Sequence, residues 1–204
     1  MEDYTFEQLI DDNGSLVFII RNWLTPERAS QLFDRLVKII PWQQDKGVAY
    51  GKTYNVPRLT YSCGESEIEL YEYSKRINEM NPWIDEVRDV RDRIMREYSV
   101  ILDSSYINYY RDPQHYIAWH ADREARGANG DSHVFTVSLG GSRRFWMKEK
   151  KEKKGDKKIK TVLHNGDLCV MSGQTQRDWL HHIPKETVAN PRISLTYRMI
   201  NDRS

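Results

Sequence analysis

The sequence predicts a single α+β domain, with helices first and a β-rich second half of sandwich, barrel or jelly-roll type. Three observations predict it. Two amphipathic helical patterns fall in the first hundred residues. The last hundred hold a series of short β-rich runs separated by turn residues, the mark of such architectures. No repeat or low-complexity linker divides the 204 residues, a length that supports one substantial core.

Gly14–Trp23 reads as a strand: after a turn at Asn13-Gly14 come Leu16, Val17, Phe18, Ile19 and Ile20 in a near-continuous apolar run. Thr25-Pro26 opens a helix, because Thr can cap it and Pro suits the first helical position. Leu32, Phe33, Leu36, Val37 and Ile40 recur at helical spacing, and Pro41 ends the pattern. From Trp42 to Gly64, Gly47, Gly51, Pro57 and Gly64 interrupt tyrosines and basic residues, which predicts loops and short strands. Glu65–Ser74 is strand-like, with Ile68 and Leu70 on one face and Tyr71 and Tyr73 on the other. Asn81-Pro82 is a second cap-plus-Pro start, and Ile84, Val87, Arg91, Ile94 and Tyr98 mark one side of a helix reaching about Tyr98. The β-rich runs that follow are Tyr106–Arg111, Tyr116–His120, His133–Leu139, Arg144–Lys148, Ile159–Leu163, Leu168–Met171 and Ile193–Ile200. The expected organisation is one domain over 1–204, with helices and a recognition segment in 1–100 and the β core in 101–204.

Charged residues make up 30% and hydrophobic residues 39%, a globular composition. No apolar run approaches the roughly 18 residues that would span a bilayer, so no membrane partner is expected. Met1–Leu9 is acidic and lacks the basic-then-apolar pattern of a secretion signal. Cys63 and Cys169 are too few for a disulfide framework and read as free thiols. Together these predict an intracellular protein, nuclear or cytoplasmic, and a monomer. The net charge of +1 excludes nothing, since nucleic-acid binding needs a local basic surface. Eight lysines stand in Lys148–Lys160 against Glu149, Glu152 and Asp156. That run reads as a solvated hairpin, with phosphate contact as the functional alternative.

His120-Ala121-Asp122 puts an imidazole and a carboxylate on one face of a strand. Alone the pair carries little weight. About sixty residues on, Asp178-Trp179-Leu180-His181-His182-Ile183-Pro184 offers another imidazole, from His181 or His182. Two His and one carboxylate hold one face of Fe(II) and leave the others open for cosubstrate and O2; a structural zinc site would usually draw on Cys. The third element is the strand Arg192–Arg198. Ile193, Leu195 and Tyr197 share one face, and Arg192, Ser194, Thr196 and Arg198 the other. If the polar face met solvent, it would be an ordinary half-buried strand. If it lines a pocket, it is a carboxylate-binding wall. The arginine Cα atoms would lie about 20 Å apart at ~3.3 Å per residue, so each would serve a different end of a dicarboxylate unless the strand bends.

Ile107-Asn108-Tyr109-Tyr110, His120-Ala121-Asp122-Arg123-Glu124, Val137-Ser138-Leu139-Gly140, Arg143, Phe145, His164-Asn165-Gly166-Asp167-Leu168, Trp179–Lys185 and Pro191–Arg198 together resemble the AlkB family of nucleic-acid dealkylases. Within the family the likeness is to the mammalian DNA and RNA repair homologues. It covers roughly Val48 to Ile200, about three quarters of the chain. The resemblance implies a double-stranded β-helix, or jelly roll, with N-terminal helices and a nucleotide-recognition lid. It implies His120, Asp122 and His181 as the catalytic Fe(II) ligands, with Asn108, Tyr110, Arg192, Ser194, Thr196 and Arg198 holding 2-oxoglutarate. Glu124 falls where the family carries an acidic residue that reads the base; Arg123 departs from the acid common in relatives. Ala49–Lys52 and Val56–Arg58 resemble the lid, and Tyr71-Glu72-Tyr73 its base-stacking segment. Tyr50, Lys52, Arg58, Tyr71, Tyr73 and Glu124 are therefore expected to contact the nucleotide. The implied activity is oxidative demethylation of 1-methyladenine or 3-methylcytosine in DNA or RNA, releasing formaldehyde, succinate and CO2. The same chemistry on another substrate, or non-catalytic nucleic-acid binding, are the rival expectations.

Overall fold

The computed structural model describes residues 4–49, 51–65, 70–73, 76–123, 125, 131–151 and 158–200. Its framework is a large antiparallel sheet facing a smaller one, with two helices on the large sheet's outer side.

The chain opens with a hairpin, β1 (Thr5–Asp12) and β2 (Ser15–Arg21), turned at Asn13 and Gly14, both at positive φ. Only β2 was expected. β1 is acidic and mostly exposed at the sheet edge, and so lacks the apolar run that marks a strand. Helix α1 (Pro26–Ile39) begins where the sequence predicts: the Thr25 side chain accepts from the Arg28 amide, and Pro26 stands at the first position. Two short hairpins follow in part, β3 (Lys46–Ala49) with β4 (Lys52–Asn55) and, after β5 (Leu59–Gly64), β6 (Leu70–Tyr73) with β7 (Arg76–Glu79). The part of the expected Glu65–Ser74 strand that carries Ile68 lies outside the described residues.

Helix α2 covers Asp85–Tyr98, starting later than Asn81-Pro82 suggested. The Asn81 amide hydrogen and side chain both donate to the Ser62 carbonyl. That tie holds Asn81 as a bridge beside Cys63, so it cannot cap the helix.

The remaining strands are β8 (Ser104–Tyr110), β9 (Ile117–His120), β10 (Ser132–Gly140), β11 (Arg143–Glu149), β12 (Ile159–Leu163), β13 (Leu168–Gly173), β14 (Trp179–Ile183) and β15 (Arg192–Arg198), with a four-residue helix α3 (Thr175–Asp178). The major sheet runs β1-β2-β13-β10-β15-β8-β5 and the minor sheet β12-β11-β14-β9. The fold is thus a jelly roll of mostly antiparallel strands. The major sheet takes β1, β2 and β5 from the first hundred residues, so the division expected near residue 100 does not separate the sheets. Among the described residues no helix is long and apolar enough to cross a membrane.

Two cores follow from period-two alternation. Val137 and Leu139 of β10, Leu168 and Val170 of β13, and Ile193, Leu195 and Tyr197 of β15 pack outward against Leu36 of α1 and Val87 and Ile94 of α2. Val17 and Ile19, Cys169 and Met171 point inward, against Phe145 and Met147 of β11 and Ile183 of β14. The turn before β13 ties the layers: Leu24 donates to the Gly166 carbonyl at 3.0 Å, and Asp167, 1% exposed, pairs with Arg21 and accepts from His164. Gly166 has φ +89°, and a Cβ there would lie 2.2 Å from the Leu24 oxygen.

Candidate active site

The pocket lies between the two sheets. Its floor is the inward face of β15 and its neighbours. Register places Arg192 opposite Tyr110, Ser194 opposite Asn108 and Thr196 opposite Tyr106 on one side, with Ser138 opposite Ser194 and Thr136 opposite Thr196 on the other. Facing residues share a face, so one polar patch crosses three strands. Every residue of β15 is buried. The polar side of this strand therefore lines a cavity with Asn108, Tyr110, His120, Asp122 and His181, and does not meet solvent.

The metal-binding candidates come from the minor sheet and the turn after it. His120 ends β9, and its register partner on β14 is His181. The ligand-type atoms of His120, Asp122 and His181 all lie within 4.8 Å of one another. His120 Nε2 is 3.9 Å and His181 Nε2 3.5 Å from the Asp122 carboxylate. His120 Nδ1 lies 2.9 Å from the Ala118 carbonyl; donation there keeps Nε2 free as an acceptor for a cation. Gln176 Oε1 accepts from the Asp122 amide at 2.8 Å, and the Arg198 guanidinium donates to its carboxylate at 3.2 Å.

The electrostatics suit a cation. Burial, then neighbouring His120, pushes the His181 imidazole down to about 3, and burial also lowers His120. Burial opposes charge on Asp122, but Arg198, His181 and His120 outweigh it and hold the carboxyl below its ordinary value. Two neutral imidazoles beside an ionised carboxylate are what a divalent ion binds. The adjacent His182 is on the other side of β14. Its Nδ1 lies 2.8 Å from the Ile117 carbonyl and its ring stacks on Trp119.

Arg192 is 1% exposed. It donates to Ser138 Oγ at 2.8 Å and lies over the Tyr110 ring, yet its Nε and Nη1 have no partner. A buried guanidinium with idle donors facing a pocket fits a carboxylate. The two arginines thus stand at separate ends of the floor, Arg198 on the metal side and Arg192 away from it.

The recognition residues expected from sequence are distributed unevenly. Lys52 is exposed on β4. Tyr50 and Glu124, and the side chains of Tyr71 and Tyr73, lie outside the described residues. Arg58 is 7% exposed and donates to Asn108 Oδ1 at 2.6 Å, which turns it toward the pocket floor. Sequence reasoning passed over Thr136, Ser138 and Gln176. Thr136 and Ser138 carry a legible signal, polar alternation within Val134–Leu139. Gln176 has none, because only the fold brings α3 to Asp122.

The 2OG-Fe(II) oxygenase superfamily model matches residues 16–198. The chain is 33% identical over 194 residues to the alpha-ketoglutarate-dependent dioxygenase alkB homolog 3 of Mus musculus, covering 91% of this chain and 66% of that protein. It is 31% identical to the DNA oxidative demethylase ALKBH2 of Arabidopsis thaliana, covering 92% and 67%. The chain spans just under two thirds of the mouse relative's length. The solved structure of OsALKBH1 superposes with a TM-score of 0.62 at 14% identity, over 94% of this chain and 99% of that one, a likeness of fold.

Proposed function

The chain belongs to the 2OG-Fe(II) oxygenase superfamily and its AlkB group, and from that premise we propose that it is an Fe(II)- and 2-oxoglutarate-dependent dioxygenase that demethylates N-alkylated nucleic-acid bases. The observation that carries the proposal is the His120–Asp122–His181 cluster, beside a buried Arg192 with two unpartnered nitrogens.

His120, Asp122 and His181 would hold the iron, and Arg192, Tyr110, Asn108, Ser194 and Thr196 the cosubstrate. When bound, iron and 2-oxoglutarate would supply the oxidative chemistry: one oxygen atom of O2 would go to the N-alkyl carbon as a hydroxyl and the other into succinate, formed from 2-oxoglutarate with release of CO2, and the hydroxymethyl product would release formaldehyde. The chain's own residues do the rest. Arg198 keeps Asp122 ionised, and the Ala118 carbonyl orients His120. Phe145, Ile117, Ile183 and Met171 wall the pocket with apolar surface and limit water. Arg58, hydrogen-bonded to Asn108, is assigned to the cosubstrate side and not to the nucleotide. Tyr50, Lys52, Tyr71, Tyr73 and Glu124 are assigned to the substrate. A base within a duplex must be flipped out or single-stranded to enter, and stacking on an aromatic adds about 1–3 kcal/mol per base. The substrate is alkylated DNA or RNA and the working form a monomer. The buried free thiols of Cys63 and Cys169 support an intracellular setting, nuclear or cytoplasmic.

The test is mass spectrometry of oligonucleotides carrying one 1-methyladenine or one 3-methylcytosine, single- and double-stranded, with formaldehyde release followed in parallel. Turnover should require both Fe(II) and 2-oxoglutarate and vanish in His120→Ala. Iron-dependent turnover of 2-oxoglutarate without any loss of methyl from the bases would move the substrate outside nucleic acid. Tight oligonucleotide binding without 2-oxoglutarate turnover would leave a binding protein.

A further inference from the structure

The minor sheet has two faces, and the pocket uses only the inner one. Along β11, Phe145 and Met147 are buried inward, so Trp146 between them points outward. Trp146 pairs with Lys160 on β12 and with His182 on β14. The His182 ring stacks on Trp119 of β9 with centroids 4.7 Å apart. One row, Lys160–Trp146–His182–Trp119, therefore crosses all four strands.

Cations flank both indoles. Lys160 Nζ is 4.8 Å and the Arg144 guanidinium 5.4 Å from the Trp146 ring. Lys148 Nζ is 5.2 Å and Lys158 Nζ 5.5 Å from the Trp119 ring. Lys158 and Lys160 are exposed, and the three rings are half-buried. Arg144 also pairs with Glu186. Nothing in the pocket's chemistry calls for this arrangement. The lysine run that reads as a solvated hairpin from sequence thus has its last members laid across an aromatic strip.

We propose that the outer face of the minor sheet is a docking track for single-stranded nucleic acid, holding the strand that flanks the nucleotide delivered to the pocket. The proposal rests on the nucleic-acid reading above. Three physical points favour an unpaired strand. Indoles on a flat β surface can stack only on bases whose faces are free, and such stacking tolerates any sequence. Lysine stems are flexible, so an ammonium resting on a ring can swing to a phosphate while the ring turns to a base. Four strands at about 4.8 Å spacing give a row of roughly 14 Å, long enough for more than one nucleotide. The position is also suitable. Trp119 and His182 immediately adjoin His120 and His181, so the track and the metal-binding candidates are opposite faces of the same two strands. β9 is an edge strand, around which a polymer can pass.

The test uses the Lys158→Glu/Lys160→Glu double variant, altered at two exposed positions whose ammonium groups lie on the Trp119 and Trp146 rings, and a Trp146→Leu variant. Fluorescence anisotropy follows a labelled 20-nucleotide single strand and a labelled trinucleotide, each with one N-alkylated base, across a salt series. The double variant should weaken 20-mer binding about tenfold or more and flatten the log–log salt slope by about 1.4, two phosphates at ~0.7 each. Trp146→Leu should weaken the 20-mer without changing that slope. Trinucleotide binding should not move in either. An unchanged 20-mer affinity, or an equal loss on both lengths, would overturn the track and leave the nucleic-acid substrate standing. If the wild-type protein is stabilised by Mn(II) with 2-oxoglutarate yet binds neither oligonucleotide, the track and the substrate reading both fall and the metal centre survives.

Discussion

Replacing Arg192 with methionine should move two measured quantities in opposite directions. In the free protein this guanidinium is 1% exposed, with only Nη2 satisfied, by Ser138, and two nitrogens idle. Burial lowers its pKa, the sign of a charge held without an anion. Replacing even a paired buried charge set by apolar side chains of similar volume is often neutral or stabilising by about 1–4 kcal/mol, and a charge with no anion has no ion-pair energy to lose. At about 2–4 °C per kcal/mol for a chain of this size, the apo variant should melt at the wild-type temperature or several degrees above it. With the diacid bound, the balance inverts. Losing one partner of a buried ion pair costs about 3–5 kcal/mol, so 2-oxoglutarate should bind roughly a hundredfold to a few thousandfold more weakly. Isothermal titration of 2-oxoglutarate into the Mn(II)-loaded protein reads the affinity, and scanning calorimetry of the apo protein reads the stability. A variant that keeps wild-type affinity would falsify the assignment of Arg192 to the cosubstrate. A fall of many degrees in the apo melting temperature would show that the guanidinium supports the fold through contacts other than those described.

Three more outcomes follow from the same geometry. His181→Ala should lose binding of Fe(II) or Mn(II) by equilibrium dialysis, whereas His182→Ala should bind the ion like the wild type, because its ring faces Trp119 and not Asp122; equal losses would contradict the register of β14. The apo protein should lose stability on acidification. His181 in the fold titrates at about 3 against 6.5 when unfolded, so between those values the unfolded chain binds the extra proton. Stability is intact above about pH 6.5 and falls by up to about 1.4 kcal/mol per pH unit below it; a flat melting temperature from pH 7 to 4 contradicts the burial of this imidazole. Gly166→Ala should destabilise by about 1–3 kcal/mol, because φ is +89° and the new Cβ would meet the Leu24 carbonyl at 2.2 Å; denaturant unfolding measures it, and a loss near zero would mean the turn re-forms without strain.

Sequence alone determined the features that depend on local periodicity. The alternation Arg192–Arg198 separates polar from apolar faces in one strand. His120 and Asp122 are close because they are two residues apart, although β9 ends at His120 and a turn, not strand periodicity, carries Asp122 to the site. Thr25-Pro26 starts a helix because its cap needs only the Arg28 amide three residues away. Each is decided within one or two turns of chain. The local signal failed where a distant partner was stronger. Asn81 carries a good cap signal but is taken by Ser62, and the strand Thr5–Asp12 hides because an exposed edge needs little apolar sequence.

Only the tertiary structure decided what those faces meet. The polar side of Arg192–Arg198 could have faced water; the minor sheet covers it, and burial of both faces turns the strand into a pocket floor. His181 and His182 are neighbours with the same chemistry, and the register of β14 against β9 directs one to Asp122 and the other to Trp119. Arg58 lies among lid-like residues in sequence yet is buried against Asn108. The physical reason is common to all three. Dihedral and side-chain preferences act over a few residues and are written in each segment, whereas strand pairing joins positions some fifty to ninety residues apart and exists only once the sheets have formed.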